Sequence, residues 1–199
     1  INRIGVITRF AGSGLLDDKG DGGPATEASF KALRDIAIDA KDNFFIADLG
    51  HVRKVKADGK IASFYKNEWN RQNVETNPNG FALGLDGSLL VSDSGSSKIR
   101  KIKPDGTILT IAGTGEMKDQ GDGGLAIEAG IRSPGGLAFS PLGELYIAEE
   151  ETHRIRKIDK QGIIYSVAGT GIGGFFGDGG PAIKAQLKNP YRMAFDSRG

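Results

Sequence analysis

The sequence lacks cysteine altogether and has little of several other residue types. Its 199 residues include no Cys, two Met and one Trp, and 26 basic side chains nearly balance 25 acidic ones. Without Cys there is no disulfide, thiolate metal site or Cys nucleophile. A formal net charge of +1 removes the electrostatic argument for nucleic acid or an anionic membrane. No apolar run approaches the ~20 residues that a membrane helix needs.

Glycine is the residue in excess, and its positions are periodic. The 31 Gly are more than twice the usual share of about 7%. A Gly-Asp-Gly-Gly motif occurs three times, preceded each time by Ala-Gly-Ser-Gly or Ala-Gly-Thr-Gly. Apolar-Ala-Asp segments and Arg-Lys segments recur in the same order, which indicates a period of about 45 to 56 residues. The motif residues are Gly20, Asp21, Gly22, Gly23, Gly121, Asp122, Gly123, Gly124, Gly177, Asp178, Gly179 and Gly180.

Each repeat contains four short runs rich in β-branched and aromatic residues. Turn sequences separate them, such as Asp58-Gly59, Asp86-Gly87 and Asp105-Gly106. Asp-Gly between alternating apolar residues is a strong hairpin signal. Four antiparallel strands per repeat predict an all-β fold, a β-propeller built from four-stranded blades.

Taken together, these motifs resemble the NHL-repeat β-propellers, in the Gly-Asp-Gly-Gly-Pro-Ala variety common in large, often exported proteins. The likeness covers essentially the whole chain and departs mainly at residues 66–78, where Gly-Asp-Gly-Gly is replaced. The resemblance implies the fold, whereas the functions known in the family include protein binding, RNA binding, extracellular sensing and some enzymes.

The repeats predict one domain, a partial propeller over residues 1–199. Three complete blades are expected at about 33–65, 79–112 and 135–168, with single strands of two flanking blades at 4–10 and 191–196. Closed propellers have about 4 to 8 blades. We therefore expect the remainder of the propeller in the same polypeptide. The alternative is a ring assembled from several chains.

Strand alternation places the long loops between blades at the same end as the turn between the second and third strands. This loop face is predicted to be acidic, with Asp48, Asp93 and Glu149 among its carboxylates. The motif Asp is expected to cap the turn that follows it. The basic third strands are expected to cover the outside of each blade and to pair with acidic strand ends.

Candidate ligand-binding residues are those that vary between blades. Arg34, Asp35, Asn79, Tyr191 and Arg192 begin the innermost strands, where a propeller's channel opens. Trp69 and Arg71 lie in the divergent loop and are candidate anchors for a partner. His51 and His153 occupy nearly matching positions and are interpreted as hydrogen-bonded rather than metal-bound.

No cofactor or metal is expected. Calcium is the nearest candidate, at Asp17, Asp18 and Asp21, but each motif supplies one Asp and Ca²⁺ takes about 6 to 8 oxygen ligands. The residues favour a non-catalytic module that binds protein or glycan through its loop face, in an exported or surface protein. Two alternatives stay open: a lyase-type or hydrolase-type propeller enzyme whose central metal is completed by further blades, and an RNA-binding domain. Nucleic acid is the less favoured partner, and no membrane insertion is expected.

Overall fold

The computed structural model describes residues 5–66 and 77–196, and it consists of three four-stranded antiparallel sheets. Strand order within each sheet follows chain order, as a meander joined by tight turns requires. Within the described ranges no helix is long and apolar enough to cross a membrane. The strands are β1 Asp35–Ile38, β2 Phe44–Asp48, β3 His51–Val55, β4 Ile61–Lys66, β5 Pro78–Leu83, β6 Leu89–Asp93, β7 Lys98–Ile102, β8 Ile108–Ala112, β9 Pro134–Phe139, β10 Leu145–Glu149, β11 Arg154–Ile158 and β12 Ile164–Ala168.

Three 3₁₀ turns lie in the loops that carry the Gly-Asp-Gly-Gly motif. They span Ala25–Glu27, Ala126–Glu128 and Ala182–Lys184, each directly after the Pro or Leu that follows the motif. Single turns of this kind are typical of short connecting segments. The sequence predicts no helix beyond a turn or two at 24–30, with echoes at 125–131 and 181–187, and the three turns lie in these segments.

The hydrophobic cores lie between neighbouring sheets. One cluster joins Phe45 and Val52 of the first blade to Phe81 and Val91 of the second. Another joins Ile99 of the second blade to blade three. A third packs the loop before β1 onto the opposite face of the first blade. Because successive side chains of a strand point to opposite faces, each central strand supplies both neighbouring layers.

A β-bulge recurs at one position in every blade. The register between the third and fourth strands shifts immediately before Arg53, Arg100 and Arg156. Such a bulge places two residues opposite one and redirects the side chains beside it. In this way each blade aims an arginine at the same place.

The inner strands stand side by side, with β5 between β1 and β9. Residues 191–196 run beside β9, and the Gly136 amide donates to the Tyr191 carbonyl at 2.7 Å. Neither 5–10 nor 191–196 is assigned as a strand, since a strand is defined by ladder hydrogen bonds. Their roles as flanking strands, and the exact blade limits, stay predictions.

Candidate functional site

The first two Gly-Asp-Gly-Gly loops are each joined to the blade that follows by a buried arginine. Arg53 donates from Nε (3.0 Å) and Nη2 (2.6 Å) to Asp21 Oδ1, and from Nη1 to the Ser29 carbonyl at 2.7 Å. The other Asp21 oxygen accepts from the Ser63 amide at 2.7 Å. Burial opposes ionisation of Asp21, but the Ser63 and Arg53 hydrogen bonds outweigh it and lower the pKa of its carboxyl.

The third blade repeats the arrangement with one addition. Arg156 donates to Asp122 from Nε at 2.9 Å, and the Ser166 amide donates to the same carboxylate. Arg156 Nη1 also lies 3.2 Å from the buried Glu149 carboxylate. Burial raises the pKa of Glu149 to about 6, although the Arg156 charge acts in the opposite direction.

These contacts correct two predictions. The motif Asp does not cap the following turn, because no side-chain cap hydrogen bond is made there. Arg53 and Arg156 do not cover the outside of a blade, since both are fully buried. Lysines of the third strands fit the prediction better: Lys101 of β7 pairs with Asp86, and Lys157 of β11 pairs with Glu144.

The backbone of each of these two loops also covers the outer edge of the fourth strand in the blade that follows the loop. The Gly22 amide donates to the Ile61 carbonyl at 2.8 Å, and the Ile61 amide donates to Gly23 at 3.1 Å. Gly123, Gly124 and Ile164 repeat this pair of bonds in the third blade. An uncovered edge strand is a template for pairing with another chain. The motif therefore closes the blade's outer edge.

The acidic residues that end each second strand are buried, which corrects the prediction that they contribute to an acidic loop face. Asp48 accepts the amides of Lys31 (2.9 Å) and Ala32 (2.7 Å). Asp93 accepts the Asn77 amide at 2.9 Å. These carboxylates hold the start of the blade in place.

The start of the inner strands brings three of the candidate residues together. Asp35 Oδ1 lies 2.5 Å from Arg192 Nη1, and Asp35 Oδ2 accepts the Phe81 amide at 2.7 Å. Arg192 also donates to the Arg34 carbonyl. Asn79 is buried rather than open to solvent. Asp35 and Arg192 are thus paired with each other and with backbone groups.

On the loop face, exposed apolar side chains lie next to paired charges. The segments 12–20, 113–121 and 169–177 have equal length. Their tips expose Leu16 by 87% and Met117 by 64%. Leu15 and Leu16 line a groove of about 550 Å³ together with Phe30. Neighbouring carboxylates are neutralised in place, as Asp119 is by Arg154.

The carboxylates proposed for calcium each have a cationic partner. Asp17 pairs with Lys19 at 2.7 Å, whereas Asp18 contacts both Lys31 (3.0 Å) and the Nε2 of the buried His51 (3.1 Å). The hydrogen bond from Lys31 lowers the pKa of Asp18. In the part of the chain that the structure describes, no three His, Cys, Asp or Glu side chains form a metal-holding group.

The remaining candidates are accounted for individually. His153 accepts the Asn189 amide through Nδ1 at 3.2 Å, so both histidines make hydrogen bonds. Trp69 and Arg71 lie outside the described residues. The sequence analysis did not predict the ion pairs between the motif Asp and the third-strand Arg, although the sequence contains a signal for them. The second blade is preceded by a loop without the Gly-Asp-Gly-Gly motif. Its arginine, Arg100, has no carboxylate partner among the described residues.

Comparisons with known proteins agree with this architecture. The family model described as NHL repeat matches residues 132–158. The chain is 28% identical to Teneurin-m of Drosophila melanogaster over 159 residues and 30% identical to Teneurin-3 of Mus musculus over 152 residues. These matches cover 70% and 68% of this chain but only 6% of either relative.

Solved structures share the fold at low sequence identity. A Bacteroides thetaiotaomicron protein of unknown function matches with a TM-score of 0.71 and 21% identity, over 84% of this chain and 43% of that one. An auxiliary nutrient binding protein from Bacteroides ovatus gives 0.63 and 12%, over 92% and 50%. Virginiamycin B lyase from Staphylococcus aureus, an inactive H270A form with Quinupristin, gives 0.53 and 16%, over 73% and 45%.

Sheets, blade packing and structural matches define the class of this protein, a β-propeller built from four-stranded antiparallel blades. Within that class, the repeat motifs, the family model and the relatives identify the chain as a member of the NHL-repeat family.

Proposed function

We propose that this chain is a non-catalytic binding module that recognises a protein or glycan partner through its loop face. The observation that carries the proposal is the exposure of apolar side chains in the loops: Leu15 and Leu16, which line one groove, and Met117 at the position equivalent to Leu16. Loops on a rigid scaffold are where binding residues concentrate. Contiguous exposed apolar side chains rimmed by polar groups are typical of interaction sites.

The charge arrangement supports binding more than chemistry. A general acid or base needs a titratable group free to reach substrate. At the channel mouth, the Asp35 carboxylate forms an ion pair with Arg192 and accepts a hydrogen bond from the Phe81 amide. On the loop face, Asp18 and Asp119 are held by cations. The exposed apolar side chains of the same loops remain available to a partner.

The proposal includes the setting of the module. We place it in an exported or surface protein, with the rest of the propeller in the same polypeptide. Structural matches to an auxiliary nutrient binding protein and to the extracellular domain of a one-component system protein support this setting. In the first of these, the match covers half of the longer chain.

The test uses charge insertion at two ends of the blades. The full-length polypeptide would be screened against a glycan array and against purified secreted proteins of the source organism. Leu16→Asp and Met117→Asp should abolish a genuine interaction. Leu85→Asp is the matched control, because Leu85 is fully exposed in the turn at the opposite end of the second blade. Binding that survives both loop variants, or is lost equally with the control, would contradict the proposal.

The enzyme and RNA-binding alternatives have their own discriminating measurements. An enzyme with a central metal would carry stoichiometric bound metal when the intact polypeptide is purified. An RNA-binding module would bind single-stranded RNA with an affinity that falls steeply with salt. Retained affinity for RNA at low salt, lost in high salt, would favour RNA recognition over the proposed role.

A further inference from the structure

The third Gly-Asp-Gly-Gly loop has the sequence of the first loop but not its contacts. Residues 20–25 and 177–182 are the same hexapeptide. Asp21 and Asp122, in the first two loops, each accept hydrogen bonds from a buried arginine of the blade that follows. Asp178 is exposed, and in the described part of the chain no arginine contacts it.

Two further groups of the third loop are open where their counterparts are covered. The Gly22 amide donates to a fourth-strand carbonyl at 2.8 Å, whereas the Gly179 amide has no acceptor among the described residues. Ala25 is 2% exposed because it packs on the blade that follows, whereas Ala182 is exposed. Groups that pack on a blade in the first loop therefore form an open surface in the third, the third-loop surface (residues 175–185).

We propose that the third-loop surface binds a further four-stranded blade of the same polypeptide, and that an arginine in the third strand of that blade pairs with Asp178. The inference rests on the proposed setting, in which the rest of the propeller belongs to this polypeptide. Asp21 and Asp122 precede their arginines by 32 and 34 residues. The same spacing from Asp178 places the expected arginine at about 210–212, after Gly199.

Phe175 replaces a carboxylate that the first two loops carry three residues before the motif Asp, and it is 86% exposed. In the first loop this carboxylate, Asp18, contacts His51. In the second loop, Asp119 contacts Arg154. Both partners lie two residues before the third-strand arginine of their blade. Because an exposed aromatic ring is stabilised by burial against apolar surface, we expect an apolar side chain at that position of the added blade.

The loop backbone matches the edge of such a blade. Gly179 and Gly180 correspond to Gly22 and Gly23, which exchange two hydrogen bonds with Ile61. The same pair of bonds would close the outer edge of the added blade, which is otherwise a template for pairing with another chain. The carboxylate and the arginine would add a charge-assisted contact with a defined geometry.

Hydrogen exchange of single amides, measured on the full-length polypeptide and on the present chain, tests the proposal. In the full-length polypeptide the Gly179 amide should exchange at least about tenfold more slowly, because it gains a hydrogen bond to the added blade. The Gly22 amide is the internal control, since it is already bonded and should not change. Equal exchange of Gly179 in the two proteins would overturn the proposal. So would concentration-dependent protection in the present chain, because a second copy would then be the occupant.

Variants of the full-length polypeptide test the two side chains. Asp178→Asn should lower the melting temperature by several degrees, and a double-mutant cycle with Arg→Gln at the expected arginine should show coupling. Phe175→Asp should also lower it. Phe176→Asp is the matched control and should have little effect, because its counterpart Lys19 is 81% exposed in the first loop. Additive effects of Asp178 and the arginine, or equal effects of the two Phe variants, would contradict the proposed contacts.

The outcomes also separate this inference from the proposed setting. If the full-length polypeptide contains no blade after the third loop, both are wrong. If it contains one but the Gly179 amide exchanges freely, the setting stands and the pairing of Asp178 is wrong. Neither outcome affects loop-face binding, which Leu16→Asp and Met117→Asp test separately.

Discussion

Replacing Asp21 by Asn tests whether the motif carboxylate is needed to keep an arginine buried. Asp21 accepts from Arg53 and from both the amide and the hydroxyl of Ser63, the last at 2.5 Å. Breaking a fully buried ion pair by removing one partner costs about 3–5 kcal/mol. The Asp21 side chain is 39% exposed, and Arg53 keeps two carbonyl acceptors. Solvent screening therefore reduces the expected loss to about 2 kcal/mol.

Two further Asp→Asn variants serve as controls on this reasoning. Asp122→Asn should cost less than Asp21→Asn, because Arg156 retains the Glu149 carboxylate. Asp178→Asn should cost less than about 0.5 kcal/mol, since Asp178 contacts no arginine among the described residues. Urea unfolding monitored by circular dichroism measures the free energy of unfolding of all three variants, and a thermal melt measures their melting temperatures. A drop in melting temperature of about 4–8 °C is expected for Asp21→Asn. Equal losses for the three variants would refute the argument.

Three more predictions follow from single groups. Burial raises the folded-state pKa of Glu149 to about 6 from 4.5, so protonated Glu149 stabilises the fold below pH 4.5. This stabilisation, about 2 kcal/mol, is lost as the pH rises through 6. Glu149→Gln should flatten this part of the profile of melting temperature against pH. Gly169→Ala should destabilise by several kcal/mol, since φ is +90° and a Cβ would overlap the His153 carbonyl. Gly162→Ala places its Cβ in open space and should cost about 1 kcal/mol. Similar losses of unfolding free energy for the two variants in chemical denaturation would contradict this. Asp35→Asn should cost about 1 kcal/mol, and a double-mutant cycle with Arg192→Met should show coupling between the two side chains.

Much of the architecture could be predicted because it depends on local signals. The Asp-Gly turns and the short apolar runs between them define hairpins, and their repetition defines blades. The single helical turns after each motif were also readable from the sequence. Residues 34, 35 and 192 could be grouped from the sequence, because they occupy equivalent positions at the start of innermost strands, around the central channel.

The pairing of charges could not be read in the same way. A basic third strand is ordinarily a solvated surface, so the sequence pattern predicts that Arg53 lies on the outside of the blade. It is buried because a loop, rather than a strand, lies over that face of the blade. Likewise, the local sequence predicts that Asp21 caps the following turn, whereas its arginine partner is 32 residues away.

The sequence by itself thus determined the order and turns of the strands within the three complete blades, since backbone propensity and turn chemistry act between near neighbours. Tertiary structure decided which charges are buried and which edges are covered. Those outcomes depend on contacts such as Asp21 with Arg53 and Asp122 with Arg156, which form only when a loop folds back over the blade it precedes. Tertiary contacts also bury Ile61 and Ile164, whereas Ile108 is exposed.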